Sequence, residues 1–235
     1  MRLPTKTLEQ RLLRSGYRYV VGVDEVGMGC LAGPVFVSAV VVGKKFFSRR
    51  HKNLGWLRDS KLLSKSQREK FFKAIKNEKE IHYEIAFCKP KTIDKLNIYQ
   101  AARLAMRRAI LKIFNYQFSI INELSINQST NSKNKEPKIK TIILVDGKTK
   151  IKGLDFDQMP IVKGDRKVFA IACASIIAKV MRDKTMMRYS KKFPGYGFDK
   201  HKGYGTEYHK AQLVSLGPCE IHRKSFTPVL KSLKI

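Results

Sequence analysis

The sequence is short of acidic charge: 19 Asp and Glu stand against 48 Lys and Arg in 235 residues, a formal net charge of +29. The basic residues run through the whole chain and form no tail, so the excess belongs to the surface of a folded body and calls for a polyanionic partner, nucleic acid before anionic membrane. Cysteine is scarce too. Cys30, Cys88, Cys173 and Cys219 are far apart and make no Cys-x-x-Cys pair, which excludes a disulfide framework and fits free thiols in a reducing cytosol. Cys219 and His222 have one ligand-like spacing, but no second pair accompanies them, so zinc is not expected. Long apolar runs are missing. No window approaches roughly 18 consecutive apolar residues, and residues 1–18 alternate charge and apolarity without the apolar core of a leader, so a cytoplasmic protein with no membrane contact is expected. What is present is 43% hydrophobic residues, enough for one globular domain with a substantial core.

The chain is organised around residues 19–34, an apolar run that ends in Asp24 and Glu25 and passes into Gly27, Gly29 and Gly33. Tyr19 to Val23 read as a buried strand, being rich in β-branched and aromatic residues. Neighbouring side chains of a strand point to opposite faces, so Asp24 and Glu25 are expected to reach one site because the strand stops there and the chain turns. Anionic oxygens at the end of a buried strand are costly to desolvate, and a divalent cation would offset that cost.

The other elements follow in order. Residues 5–15 read as a leading helix and Pro34 to Val42 as a second buried strand. The basic stretch Lys44 to Arg58, with Trp56, reads as a surface loop. Ser64 and Gln67 have capping-box spacing for a helix running to about Lys79. Ile81 to Phe87 alternate as a half-covered strand that Pro90 ends, and residues 97–114 read as a helix with Ala101, Ala102, Ala105, Ala109 and Ile113 on one face. Ser125 to Lys138 are polar and read as a surface loop. Thr141 to Val145 and Met159 to Val162 read as strands, Val168 to Arg188 as a long helix with small first turns, and Glu207 to Ser215 as a further helix. The domain reading is a leading helix at 1–18, a catalytic domain at 19–229 interrupted by a surface-loop insertion at 115–140, and a tail at 230–235.

One pattern recurs: an apolar strand, then a carboxylate, then glycine or a loop. It holds for Asp24 with Glu25, for Asp146 before Gly147, and for Asp165 after Gly164. Carboxylates at the ends of neighbouring strands converge on one pocket, and oxygen ligands suit hard octahedral Mg²⁺ or Mn²⁺. Paired ions about 4 Å apart activate a water and stabilise the leaving oxygen in phosphodiester cleavage.

With these residues in view the sequence resembles bacterial ribonuclease HII, the type 2 ribonuclease H family. The resemblance is carried by Gly22 to Gly27, Leu31 to Val35, Asp59-Ser60-Lys61, Val145 to Lys148, Lys163-Gly164-Asp165, Ala174 to Val180 with Arg182-Asp183, Phe193 to Phe198, His201 to Thr206, and Gly217-Pro218-Cys219 with Ile221-His222-Arg223 and Ser225-Phe226. These blocks run over roughly residues 18–229. The resemblance implies an α/β, ribonuclease H-like fold, with a mixed central sheet flanked by helices and a short C-terminal segment. It implies an endonuclease that hydrolyses the RNA strand of RNA/DNA hybrids and incises 5′ of ribonucleotides embedded in duplex DNA, leaving 3′-hydroxyl and 5′-phosphate ends. By resemblance, Asp24, Glu25, Asp146 and Asp165 would be the catalytic residues and would hold two Mg²⁺ or Mn²⁺ ions. Gly27, Met28 and Gly29 would form the loop whose backbone reads the ribose 2′-hydroxyl, Tyr204 would contact that hydroxyl and pack on the next sugar, and Lys61 would touch phosphate. Partners are then RNA/DNA hybrid and ribonucleotide-containing duplex DNA, met by a monomer.

Met28 departs from the family, which has Arg there. Loss of a guanidinium removes a charge-assisted contact, typically about 1.5–3 kcal/mol, and the expectation is weaker binding or a relaxed preference for the ribonucleotide junction. Two other classes fit parts of the sequence. Another two-metal nuclease of the same fold, such as a junction resolvase or transposase-like enzyme, gives no reason for the glycine loop and Tyr204. A non-enzymatic basic RNA-binding protein gives none for four carboxylates at strand ends.

Overall fold

The computed structural model describes residues 4–49, 51–55, 57, 60–125 and 140–233; Trp56, Asp59 and the polar loop from residue 126 onward lie outside the described residues. In chain order the elements are α1 (Thr7–Arg14), β1 (Tyr19–Val26), β2 (Val35–Gly43), α2 (Lys44–Phe47), α3 (Lys65–Asn77), β3 (Ile81–Cys88), α4 (Pro90–Leu96), α5 (Ile98–Ser125), β4 (Thr141–Asp146), β5 (Asp157–Ile161), α6 (Phe169–Lys192), α7 (Phe198–His201), α8 (Glu207–Leu216) and α9 (Thr227–Ser232). The five strands make one mixed sheet in the order β3-β2-β1-β4-β5. β2 lies antiparallel to both β1 and β3, while β4 runs parallel to β1 and to β5. This is the expected α/β architecture.

Alternation along the central strands divides the core into two layers. Val20, Val40, Val42, Ile142 and Leu144 face α1, α3 and α6, and Val21, Val23, Val37, Ala39, Val41, Ile143 and Val145 face α5. Burying each such side chain stabilises the fold by about 1.5–3 kcal/mol, so a one-residue slip of β1 would reverse both layers at once. Gly22 lets α6 come against the sheet: a Cβ there would lie 2.3 Å from the Ala170 carbonyl carbon. The first turns of α6 carry Ala170, Ala172 and Ala174, all fully buried, and this close approach sets the depth at which α6 presents its next turn to the site.

α6 has no capping side chain of its own at Val168. Glu9 of α1 does that work from outside, its Oε1 accepting from the Ala170 amide at 2.9 Å. A carboxylate at a helix N-terminus satisfies an otherwise unpaired donor and complements the helix dipole. α3 begins as its sequence requires, with Ser64 and Gln67 forming a reciprocal capping box.

Three segments differ from the sequence reading. Lys44 to Arg58 is not simply a surface loop, because Phe46, Leu54 and Leu57 are buried in the α6-side core and Phe46 stacks on Phe169. Pro90 does not merely end β3; it is the first residue of α4, where its fixed φ and missing N–H cost nothing. α5 continues past residue 114 to Ser125.

Candidate active site

β1 does not stop before its carboxylates. It continues to Val26, with Asp24 opposite Ser38 and Glu25 opposite Val37 on β2. On its other side β1 pairs with β4 only as far as Val23 opposite Val145. The end of the neighbouring strand, not a turn in β1, therefore opens the space that both carboxylates border. Asp24 has the parity of the α6 face and is 4% exposed; its Oδ1 accepts from the Glu25 amide at 2.8 Å. The Ser175 hydroxyl of α6 favours the charged form of Asp24. The Ser175 hydroxyl lies 2.9 Å from that of Ser60, which fastens the turn Ser60–Leu62 bearing Lys61 to the same wall.

Asp146 ends β4 with the same facing as Asp24. Its Oδ1 accepts from the Gly164 amide at 2.7 Å, drawing in the turn Gly164–Arg166 that carries the buried Asp165. Lys61 reaches this group from the exposed side, its Nζ 3.7 Å from Asp165 Oδ2.

The four carboxylates act on one another. Burial, then the charges of Glu25, Asp146 and Asp165, hold Asp24 well above the usual carboxylate range against the opposing Ser175 hydroxyl. Burial and then the Asp146 charge push Glu25 up to about 7, opposed by Arg103 and Lys61. Among the described residues no three His, Cys, Asp or Glu side chains close into a ready-made metal cage. The donor set still fits a hard divalent cation. It is all oxygen, and its mutual repulsion is of the kind a cation would offset, so ligation would draw the carboxylates together.

Beyond β1 the chain enters Gly27-Met28-Gly29. Met28 is half-buried and packs on the α5-side core, while at Gly29 a Cβ would meet nothing within 4 Å, leaving its backbone open to approach. Two fully buried arginines hold the loop and its continuation. Arg223 donates from Nη2 to the Gly27 carbonyl at 2.7 Å, from Nη1 to Met28 at 2.8 Å and from Nε to Gly33 at 2.9 Å. Arg182 of α6 donates to the carbonyls of Pro34, Lys202 and Ala32 at 3.1, 2.9 and 3.2 Å. Gly27 adopts φ +92°, and a Cβ there would strike the Arg182 side chain at 2.3 Å, so glycine is required on both counts. The sequence reading quoted both arginines without giving them a role. The available signal was Arg182 seven residues after Ser175, two turns along the same face of α6.

Tyr204, 40% exposed, pairs with Cys30 across a single antiparallel bridge. The Cys30 thiol is among the groups that raise the Tyr204 hydroxyl above the ordinary tyrosine value, after burial, and Lys179 and Arg182 each lie 5.8 Å from its ring centroid. The structure thus brings Asp24, Glu25, Asp146, Asp165 and Lys61 together, and separately joins Gly27 to Gly29 with Tyr204. β1 and α6 connect the two groups.

Behind Tyr204 lies a buried pair of imidazoles. His209 Nδ1 donates to the Tyr204 carbonyl at 2.9 Å, and its Nε2 is 3.0 Å from His222 Nε2. His222 Nδ1 accepts from the Cys219 amide at 2.9 Å. Burial is the first cause that lowers both to about 4.

The family profile described as Ribonuclease HII matches residues 21–229. A ribonuclease HII from Caldicellulosiruptor bescii is 46% identical over 228 residues, covering 96% of this chain and 95% of that protein. Another from Caldicellulosiruptor saccharolyticus is 43% identical over 219 residues, covering 93% and 92%. The crystal structure of the ribonuclease H2 from Pyrococcus horikoshii OT3 superposes with a TM-score of 0.67 at 23% identity, over 92% of this chain and 97% of that one, a likeness of fold. A profile match spanning most of the chain, curated relatives of nearly equal length and a shared sheet architecture agree: the chain belongs to the ribonuclease HII family.

Proposed function

We propose that the chain is a metal-dependent endoribonuclease that hydrolyses the RNA strand of RNA/DNA hybrids and incises on the 5′ side of single ribonucleotides in duplex DNA, leaving 3′-hydroxyl and 5′-phosphate ends. The observation that carries this reading is the convergence of Asp24, Glu25, Asp146 and Asp165 on one opening beside the glycine loop, in a chain of charge +29.

Asp24, Glu25, Asp146 and Asp165 would hold two Mg²⁺ or Mn²⁺ ions, which when bound supply an activated water and charge neutralisation at the scissile phosphate. The protein's own contributions follow from its geometry. The Glu25 and Gly164 amides fix the Asp24 and Asp146 carboxyls by hydrogen bonds and so limit the rearrangement that binding requires. Lys61, exposed at the rim and close to Asp165, is placed to meet a backbone phosphate. The open backbone at Gly29 and the half-exposed Tyr204 ring offer a donor edge and a stacking face to a sugar. The 2′-hydroxyl is the group that separates ribose from deoxyribose, so these two features carry the selectivity. The surrounding Lys and Arg hold the duplex as a monomer would, through phosphates and without regard to sequence.

The test is cleavage, with Mg²⁺ or Mn²⁺, of end-labelled duplexes identical except for one ribonucleotide. A nick on its 5′ side, with the all-DNA duplex uncut, is expected. Equal cutting of both, or cutting of neither in either metal, would overturn the reading.

A further inference from the structure

Arg182 and Arg223 are the largest fully buried side chains among the described residues, and the hydrogen bonds of both guanidinium groups go to backbone carbonyls. An ionised group removed from water without a counter-ion is expensive to keep, so its contacts must matter. Backbone carbonyls accept the hydrogen bonds of both, and Arg223 is the one that donates to the carbonyls of Gly27 and Met28. Its three donors occupy the carbonyls of Gly27, Met28 and Gly33 from the buried side. A peptide's carbonyl and amide point in opposite directions, so carbonyls turned inward leave amides turned outward. Among the described residues no acceptor takes the amides of Met28 or Gly29, and the space at Gly29 is open.

We infer that Arg223 is a positioning residue for ribose selectivity: it pins the carbonyls of the Gly27-Met28-Gly29 loop inward and so presents that loop's amides as a preformed donor edge for a 2′-hydroxyl oxygen. The inference deepens the function proposed above and rests on it. Planar, five-donor arginine can hold three carbonyls set in a fork, whereas the point charge of lysine cannot. Arg182 is the counterpart one layer deeper: it packs against Gly27, but its hydrogen bonds tie Ala32, Pro34 and Lys202 to α6 and none goes to the Gly27 or Met28 carbonyl. The neighbouring pair Cys30 and Tyr204 then moves with the same strip, since Leu31 donates to the Gly203 carbonyl and the Arg223 amide to that of Leu31.

The test uses an Asp146→Asn parent, in which turnover is expected to fall roughly 10³-fold so that binding is read before cleavage accumulates, and two duplexes that differ by a single 2′-hydroxyl. Dissociation constants are measured for the parent and for the parent carrying Arg223→Lys. The parent is expected to prefer the ribonucleotide duplex. Arg223→Lys is expected to reduce that preference about tenfold, the equivalent of roughly 1.4 kcal/mol, with all-DNA affinity unchanged. A parent that discriminates and a folded Arg223→Lys protein that discriminates equally well would overturn the positioning role alone. A parent with no preference would overturn the function proposed above and this role with it. Amide hydrogen exchange of the parent makes the test independent of whether the variant folds. Met28 and Gly29 should be protected by the ribonucleotide duplex and not by its deoxy twin, and equal exchange with both would contradict the inference.

Discussion

Asp146 stands where two demands meet, since its carboxylate holds the Gly164 amide and also faces the charges of Asp24 and Glu25. Replacing it by Asn keeps an acceptor of the same shape and removes the charge. Turnover on a single-ribonucleotide duplex should fall roughly 10³-fold, equivalent to about 4 kcal/mol of transition-state stabilisation, while duplex affinity is kept or gained. Steady-state kinetics beside a binding titration would show it, and retained turnover would remove Asp146 from the site. Glu9 is a second residue out of its ordinary range, its pKa raised to about 7 chiefly by burial, with no hydrogen-bond partner for Oε2 among the described residues. A carboxyl raised in the folded state adds stability that is full below its unfolded value near 4.5 and is lost as pH rises through about 7. Glu9→Gln should therefore match the parent near pH 4.5 and exceed it near pH 8, by on the order of 2–3 kcal/mol, read from urea midpoints. The four candidate carboxylates could be proposed from the sequence because each follows an apolar strand. Glu9, Arg182 and Arg223 were not, because their partners are backbone atoms brought close only by the fold.

Among the elements, the strands and α3 were plain from pattern and capping alone, and the small first turns of α6 allowed close packing or close approach of a ligand, of which the structure shows packing against Gly22. The run of β1 through Asp24 and Glu25 was not legible, because it depends on where β4 ends beside it. Nor was the burial of Phe46, which lies within a basic segment. The α8 helix and the stretch leading to α9 face each other through His209 and His222, and their contacts admit one neutral arrangement. The Tyr204 carbonyl can only accept, so His209 carries its proton on Nδ1. The Cys219 amide can only donate, so His222 carries its proton on Nε2 and gives it to His209 Nε2. Nitrogen-15 spectra of the imidazoles at pH 6 should show these two opposite tautomers, and charged rings or the reverse pair would contradict the arrangement. Because burial lowers both to about 4, the stability they add is full above about 6.5 and is lost as pH falls through about 4. Glu9 acts in the opposite sense, so the spectra and not overall stability are the proper readout.

For the whole molecule, the charge of +29 surrounds a small acidic opening, so the two should respond to different variables. Binding to any duplex is expected to weaken by about 10³–10⁵ between roughly 50 and 200 mM salt if some 6–10 phosphates are neutralised, alike for DNA and hybrid. Fluorescence anisotropy across that range would measure it, and a shallow slope would mean that the basic surface is not the binding surface. If ribose preference lies in the loop as proposed, it should change little over the same range. The account rests most heavily on the carboxylates acting as one ligand set. Crystals soaked in Mn²⁺ and measured at the manganese absorption edge test this directly. The account predicts anomalous density ligated by Asp24, Glu25, Asp146 and Asp165; the four carboxylates remaining apart with no manganese among them would contradict it.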